Sequence, residues 1–74
     1  MSKLPVISGR DCVRALRAAG FYLKRQEGSH MILRRDDPFG QVVIPDHRVL
    51  DRGTLKSILR QADLSVADLV RLLS

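Results

Sequence analysis

Phe21-Tyr22-Leu23-Lys24-Arg25-Gln26-Glu27-Gly28-Ser29-His30-Met31-Ile32-Leu33-Arg34 is the stretch whose reading decides the fold. Two short segments rich in apolar and β-prone residues flank a polar, glycine-containing break. Phe21 to Arg25 reads as one strand and Ser29 to Arg34 as the next. Gln26-Glu27-Gly28 then fits a three-residue hairpin loop, with Gly28 in the left-handed conformation that a G1 bulge needs. That register puts Lys24 opposite His30 and Tyr22 opposite Ile32. Alternation sends Phe21, Leu23, Met31 and Leu33 to one face, and Tyr22, Lys24, His30, Ile32 and Arg34 to the other. The first is a core face. The second is an open, basic face carrying one imidazole.

Upstream, Leu4-Pro5-Val6-Ile7 is apolar and extended, because a proline disfavours helix at the residue before it. Ser8 reads as an N-cap with Asp11 three residues on, and the helix runs to about Ala19. Cys12, Leu16 and Ala19 share one face of it, Arg10, Arg14 and Arg17 another, and Gly20 ends it. Downstream, Asp36-Asp37-Pro38-Phe39-Gly40 is a turn by composition. Gln41 to Pro45 forms a third strand, with Val42 and Ile44 facing one way and Val43 the other. Asp51 is a plausible cap for a second helix whose Leu55, Ile58, Leu59 and Ala62 fall at i, i+3, i+4 and i+7. Ser65 and Asp68 open a short third helix striped by Val66, Leu69, Val70 and Leu73. The pattern is α+β, an αβββα order plus a short C-terminal helix. Its three-stranded antiparallel sheet carries helices on one face.

The totals bound the function. Seventy-four residues make one domain spanning 1–74, and a chain this short buries only about 60–65% of its unfolded surface. A single cysteine closes no internal disulfide, and no Cys/His cluster has zinc spacing. No apolar run reaches the roughly 20 residues of a membrane span, and no signal-peptide segment opens the chain, so a cytoplasmic location is expected. Thirteen Lys and Arg against eight Asp and Glu give a net charge of +5. That bias favours a polyanionic partner, nucleic acid first. With only Phe21, Tyr22 and Phe39 as aromatics, a base-stacking platform is not expected.

The ordered set Leu4-Pro5-Val6-Ile7-Ser8-Gly9, Ala19-Gly20-Phe21, Gly28-Ser29-His30, Ile44-Pro45-Asp46-His47, and Gly53-Thr54-Leu55 leading to Ile58-Leu59-Arg60-Gln61-Ala62 and Leu64-Ser65 resembles the HicA (YcfA-like) toxins of bacterial HicA–HicB systems. The resemblance covers essentially the whole chain. It implies a fold like a double-stranded-RNA-binding domain, cleavage of mRNA that blocks translation, and a cognate HicB-like antitoxin protein as partner. The resemblance makes His30, in Gly-Ser-His, the catalytic residue. Met31 stands where many members carry a second histidine or another residue, which leaves the His30 assignment intact but removes a possible helper.

RNA cleavage without a metal or other cofactor needs a group that takes the 2′-OH proton, a proton for the leaving 5′-oxygen, and charge on the phosphate. An imidazole suits either proton role. Lys24 and Arg34, sharing the His30 face, are the expected phosphate clamps, with Arg35 a looser candidate and Ser29 beside the imidazole as a further RNA contact. His47 is either the complementary acid or a loop residue that contacts RNA. The free N–H groups around Gly53 and Thr54 either bind a phosphate or only start the helix. Cys12 belongs to the core, and Ser29 and His30, adjacent on a strand, point to opposite faces and form no triad. The rival readings are a non-catalytic RNA-binding module of the same fold and a basic protein-interaction domain.

Overall fold

The computed structural model describes residues 3–74. The chain runs α1 (Gly9–Ala18), β1 (Tyr22–Glu27), β2 (His30–Asp36), β3 (Phe39–Pro45), α2 (Arg52–Ala62) and α3 (Val66–Leu73). The strands form one antiparallel sheet in the order β1-β2-β3, the double-stranded-RNA-binding-domain-like architecture expected. Each helix starts on the side chain expected of it. Ser8 accepts from the Asp11 N–H at 3.0 Å, and Asp51 accepts from the Thr54 N–H at 2.7 Å and its hydroxyl at 2.9 Å. Ser65 and Asp68 bond each other's backbone N–H groups at 3.0 and 2.9 Å. These contacts satisfy amides that the helix itself leaves unpaired, worth about 1 kcal/mol per cap.

The core is one layer between sheet and helices. Leu16 and Cys12 from α1, Leu33 from β2, Val42 and Ile44 from β3, Leu55 and Ile58 from α2, and Leu69 from α3 are fully buried. Burying a side chain of the Leu or Ile size contributes about 1.5–3 kcal/mol, so this layer dominates stability. All four α2 positions of the apolar stripe are buried. In α3 the stripe is rotated slightly: Leu72 packs inward with Val66, Leu69 and Leu73, whereas Val70 is exposed.

The hairpin departs from the expected register. β1 and β2 are joined by the two residues Gly28-Ser29, not by Gln26-Glu27-Gly28. Gly28 is left-handed, φ 58°, as expected, and at the first position of a two-residue loop it suits a II′ turn. Glu27 therefore pairs with His30, Gln26 with Met31 and Arg25 with Ile32. The ladder then skips Lys24, and Leu23 pairs with Leu33 and Tyr22 with Arg34. Lys24 is thus a bulge residue and not the partner of His30.

The physical reason is local. A tight turn whose twist matches the strands extends both of them to its edges, and the odd residue is absorbed where it costs least. Every β1 residue is exposed, so no buried side chain resists the irregularity at Lys24. The slip preserves the faces of Tyr22 and Leu23 while moving Arg25 and Glu27 onto the His30 face. The next turn is also shorter than expected, Asp37-Pro38 alone, with Asp36 paired to Phe39. Along β3, Gly40, Val42 and Ile44 are buried and Gln41 and Val43 exposed, the alternation read from the sequence.

Candidate functional site

Three segments meet at the end of the sheet where β2 begins. His30, the first residue of β2, is exposed and lies between Glu27 on one neighbouring strand and Pro45 on the other. Just past Pro45, the Asp46 N–H donates to the Ser29 carbonyl at 2.6 Å, tying the segment after β3 to the hairpin turn. The Gly9 N–H donates to the His47 carbonyl at 2.9 Å, which docks the start of α1 on the same segment. This approach is so close that a Cβ at Gly9 would run into the Pro45 carbonyl, so glycine is required there.

Charge at this junction is arranged by pairs. Arg10 forks onto Asp46, with Nε 3.2 Å from Oδ1 and Nη2 3.4 Å from Oδ2, and that carboxylate raises the guanidinium further above its ordinary value. Solvent screens an exposed pair of this kind, so its consequence is positional: it holds a cation beside the His30 end. Downstream, the Asp51 carboxyl sits below its ordinary range, chiefly through the Thr54 N–H and hydroxyl bonds, with His47 as a further, smaller cause. His47 is exposed in the segment between β3 and α2. The segment 45–52 carries the chain from beside His30 into that helix.

The structure places Ser29 and His30 at the hairpin turn, bonded through Ser29 to Asp46, the residue before His47, and leaves the expected clamps elsewhere. Lys24 is exposed at the bulge, between Leu23 and the Arg25–Ile32 pair. Arg34 lies four residues along β2 from His30, about 13 Å at the rise of a strand. Its Nε bonds Asp36 at 2.9 Å, and its guanidinium carbon stands 5.2 Å from the Phe39 ring centroid. The Tyr22 hydroxyl donates to the same Asp36 carboxylate at 3.2 Å. Arg35 points to the helix side. Its guanidinium lies 4.5 Å from the Phe21 ring centroid and donates to the carbonyls of Pro38 at 3.0 Å, Ala19 at 3.3 Å and Ala62 at 3.5 Å. It staples three chain segments together, using a donor on each of its three nitrogens.

The outer face of the sheet is therefore not a bare platform of cations. Arg25 is paired with Glu27 and Arg34 with Asp36, while Tyr22, Val43 and Phe39 are exposed on it. Ile32, at its centre, is only 6% exposed between Arg25 and Val43. Sequence reasoning missed Glu27, Arg10, Asp46 and Gly9. Glu27 reaches the His30 face because the loop is one residue shorter than expected, and the close approach of Gly9 to Pro45 is a tertiary contact. Arg10 and Asp46 stand 36 residues apart, and no local signal links them. Cys12 is buried, and burial pushes its thiol up to about 12, so it is a core residue and no nucleophile.

Among the described residues no three His, Cys, Asp or Glu side chains cluster as metal ligands, and no helix is long and apolar enough to cross a membrane. Residues 9–64 match a family model described as the HicA toxin of bacterial toxin–antitoxin systems. No curated relative matches the chain.

Proposed function

The chain belongs to the HicA toxins, the toxin side of bacterial toxin–antitoxin pairs whose other member is an antitoxin, and from that premise we propose that it is an endoribonuclease that cleaves mRNA at His30 and so blocks translation. One observation carries the reading. His30 is exposed at a three-segment junction, and among the described residues its imidazole makes no hydrogen bond. The bland fate of a hairpin histidine is a bond across the ladder. That bond is not made, and the carboxylate opposite, Glu27, pairs with Arg25 instead.

In this mechanism His30 takes the proton from a 2′-hydroxyl, whose oxygen attacks the adjacent phosphorus. The bond to the 5′-oxygen breaks, and that oxygen leaves with a proton, giving a 2′,3′-cyclic phosphate and a 5′-hydroxyl. By microscopic reversibility a single imidazole fits either proton step, and His47, two residues beyond the cross-strand partner of His30, serves the other or holds the RNA. Arg10, held beside the His30 end by Asp46, supplies positive charge near the reacting phosphate and Ser29 a polar contact, while Lys24, at the bulge, meets the flanking strand. Arg34 lies too far along β2 for that phosphate and meets the flanking strand, and Arg35 is left with its structural bonds.

The test is cleavage of a labelled RNA by His30→Ala protein whose fold is checked by circular dichroism. General acid–base groups contribute about 10²-fold or more, and the variant should lose at least that. Cleavage at the wild-type rate ends the catalytic assignment. Wild-type protein that binds RNA and leaves it intact is instead a binding module.

A further inference from the structure

We infer that the exposed side of α2 is the track along which the RNA backbone leaves the His30 end, phosphates seated on Arg52, Lys56 and Arg60 with Arg48 at the entrance. The inference rests on the ribonuclease reading and deepens it by assigning where the strand is gripped. Arg52, Lys56 and Arg60 stand at i, i+4 and i+8, so they form one row spaced about 6 Å apart along the axis. All three are exposed, while Leu55, Ile58, Leu59 and Ala62 turn into the core. That spacing is of the order of the separation between neighbouring phosphates on a strand.

Among the other helical cations, Arg14 is paired with Asp11 and Arg71 with Asp68, one turn away on α1 and α3, and Arg10 with Asp46, while Arg17, without an ion pair among the described residues, stands alone in the last turn of α1, where the dipole favours it. Among the described residues Arg48, Arg52, Lys56 and Arg60 form no ion pair. α2 has no acidic residue in its first turn, and the Asp51 carboxylate is spent on Thr54. Helix electrostatics does not explain the row. Arg60, in the last turn, suits the negative end of the dipole, but Arg52 is the first residue of α2, where a cation is disfavoured, and like charges four apart repel. Arg52 stands against the helix's own field, and the mutual repulsion along the row is relieved by an external anion.

Continuity with the site supports a strand as that anion. Pro45 pairs with His30, Asp46 is bonded to Ser29, and the segment 46–51 leads directly to Arg52. The chain thus runs from the residues beside the imidazole to the first cation of the row. The outer sheet face, whose arginines are already paired, offers no such row.

The experiment measures binding of an unstructured, fluorescein-labelled RNA oligonucleotide against salt, in the His30→Ala background so that the probe survives. The triple variant Arg52→Gln, Lys56→Gln, Arg60→Gln keeps good helix formers at exposed positions. Its log K against log salt slope should be shallower by about 2, three lost contacts at ~0.7 each for a single strand. The matched control Arg14→Gln, Arg17→Gln, Arg71→Gln removes the same formal charge from α1 and α3 and should change the slope by well under half as much. An unchanged slope in the α2 triple overturns the inference, and so does a control that falls equally, which would mean general charge only. Loss of antitoxin binding with an unchanged RNA slope overturns it in favour of a protein surface. The underlying reading fails separately: wild-type protein that binds this probe without cutting it ends the enzymatic assignment while the slopes still locate the track.

Discussion

β1 and β3 flank the same central strand, yet they are held to it by different physics. β3 alternates exposed and buried residues, and its inner face, Val42 and Ile44, lies beneath α2 in the core. β1 is exposed along its whole length and carries a bulge at Lys24. On the β3 side a slip of one residue would exchange Ile44 for Val43 against the core, so burial fixes the register. On the β1 side the turn alone fixes it, and an irregular residue is accommodated. The site inherits both properties. Pro45 and the segment after it are placed by the rigid strand, while Glu27, Arg25 and Lys24 are placed by the permissive one.

Deleting one residue from each strand is the strongest way to break this contrast. Removing Val43 moves Ile44 outward and drives Pro45 toward the core, and the chain should fail to fold, since a domain of this kind has only about 5–15 kcal/mol to lose. Removing Lys24 instead leaves Leu23–Leu33 and Arg25–Ile32 as successive pairs of a regular ladder. That protein should fold and lose about 1 kcal/mol or less, some 4–8 °C in melting temperature. Circular dichroism melts decide it. If the Lys24 deletion unfolds the protein, β1 is pinned by more than its turn.

Truncations at equivalent depth sharpen the same comparison with a smaller effect. Ile44 and Leu23 both lie on the helix side of the sheet, but Ile44 is fully buried and Leu23 is 38% exposed. Ile44→Ala should cost about 2–5 kcal/mol through lost transfer energy and an unfilled cavity. Leu23→Ala should cost about 1 kcal/mol, because its surroundings are already open to water. Chemical denaturation with a common m-value measures both. Equal costs would mean that β1 contributes to the core as fully as β3.

The same division explains what was legible in the sequence. The α2 stripe, the Val42/Ile44 alternation and the caps at Ser8, Asp51 and Ser65 were readable because each depends on residues a few positions apart. The hairpin register was not, because Gly28 with a left-handed φ fits both a three-residue and a two-residue loop, and no buried pattern on β1 arbitrated. At the site, Ser29 and His30 were legible as a hairpin motif, and His47 as a residue of the loop before α2. Arg10, Asp46 and the packing of Gly9 on Pro45 are tertiary contacts between distant segments. Arg35 looked like a free cation, yet its partners are backbone carbonyls from Ala19, Pro38 and Ala62, and carbonyls leave no mark in a sequence.

The smallest effect concerns acid, and it separates the capped helices from the rest of the molecule. Asp51 and Asp68 cap α2 and α3, and both carboxyls are held below their ordinary value of 3.8, first by the backbone N–H groups of Thr54 and Ser65. The sign follows from linkage. A carboxyl whose folded value is depressed stabilises the fold fully above the unfolded value, and that contribution is lost as pH falls through the folded one. Both caps are therefore at full strength at neutral pH and weaken only below about 3.8. Asn at either position keeps an oxygen that accepts the capping bond but removes the titration. The double variant Asp51→Asn, Asp68→Asn should melt close to wild type at neutral pH and lose less stability than wild type between pH 4 and pH 2. Melting temperature recorded against pH tests this directly. An acid limb as steep as that of the wild type would place the acid sensitivity outside the helix caps, and the contrast between a capped, packed half and a loosely held β1 would then not extend to electrostatics.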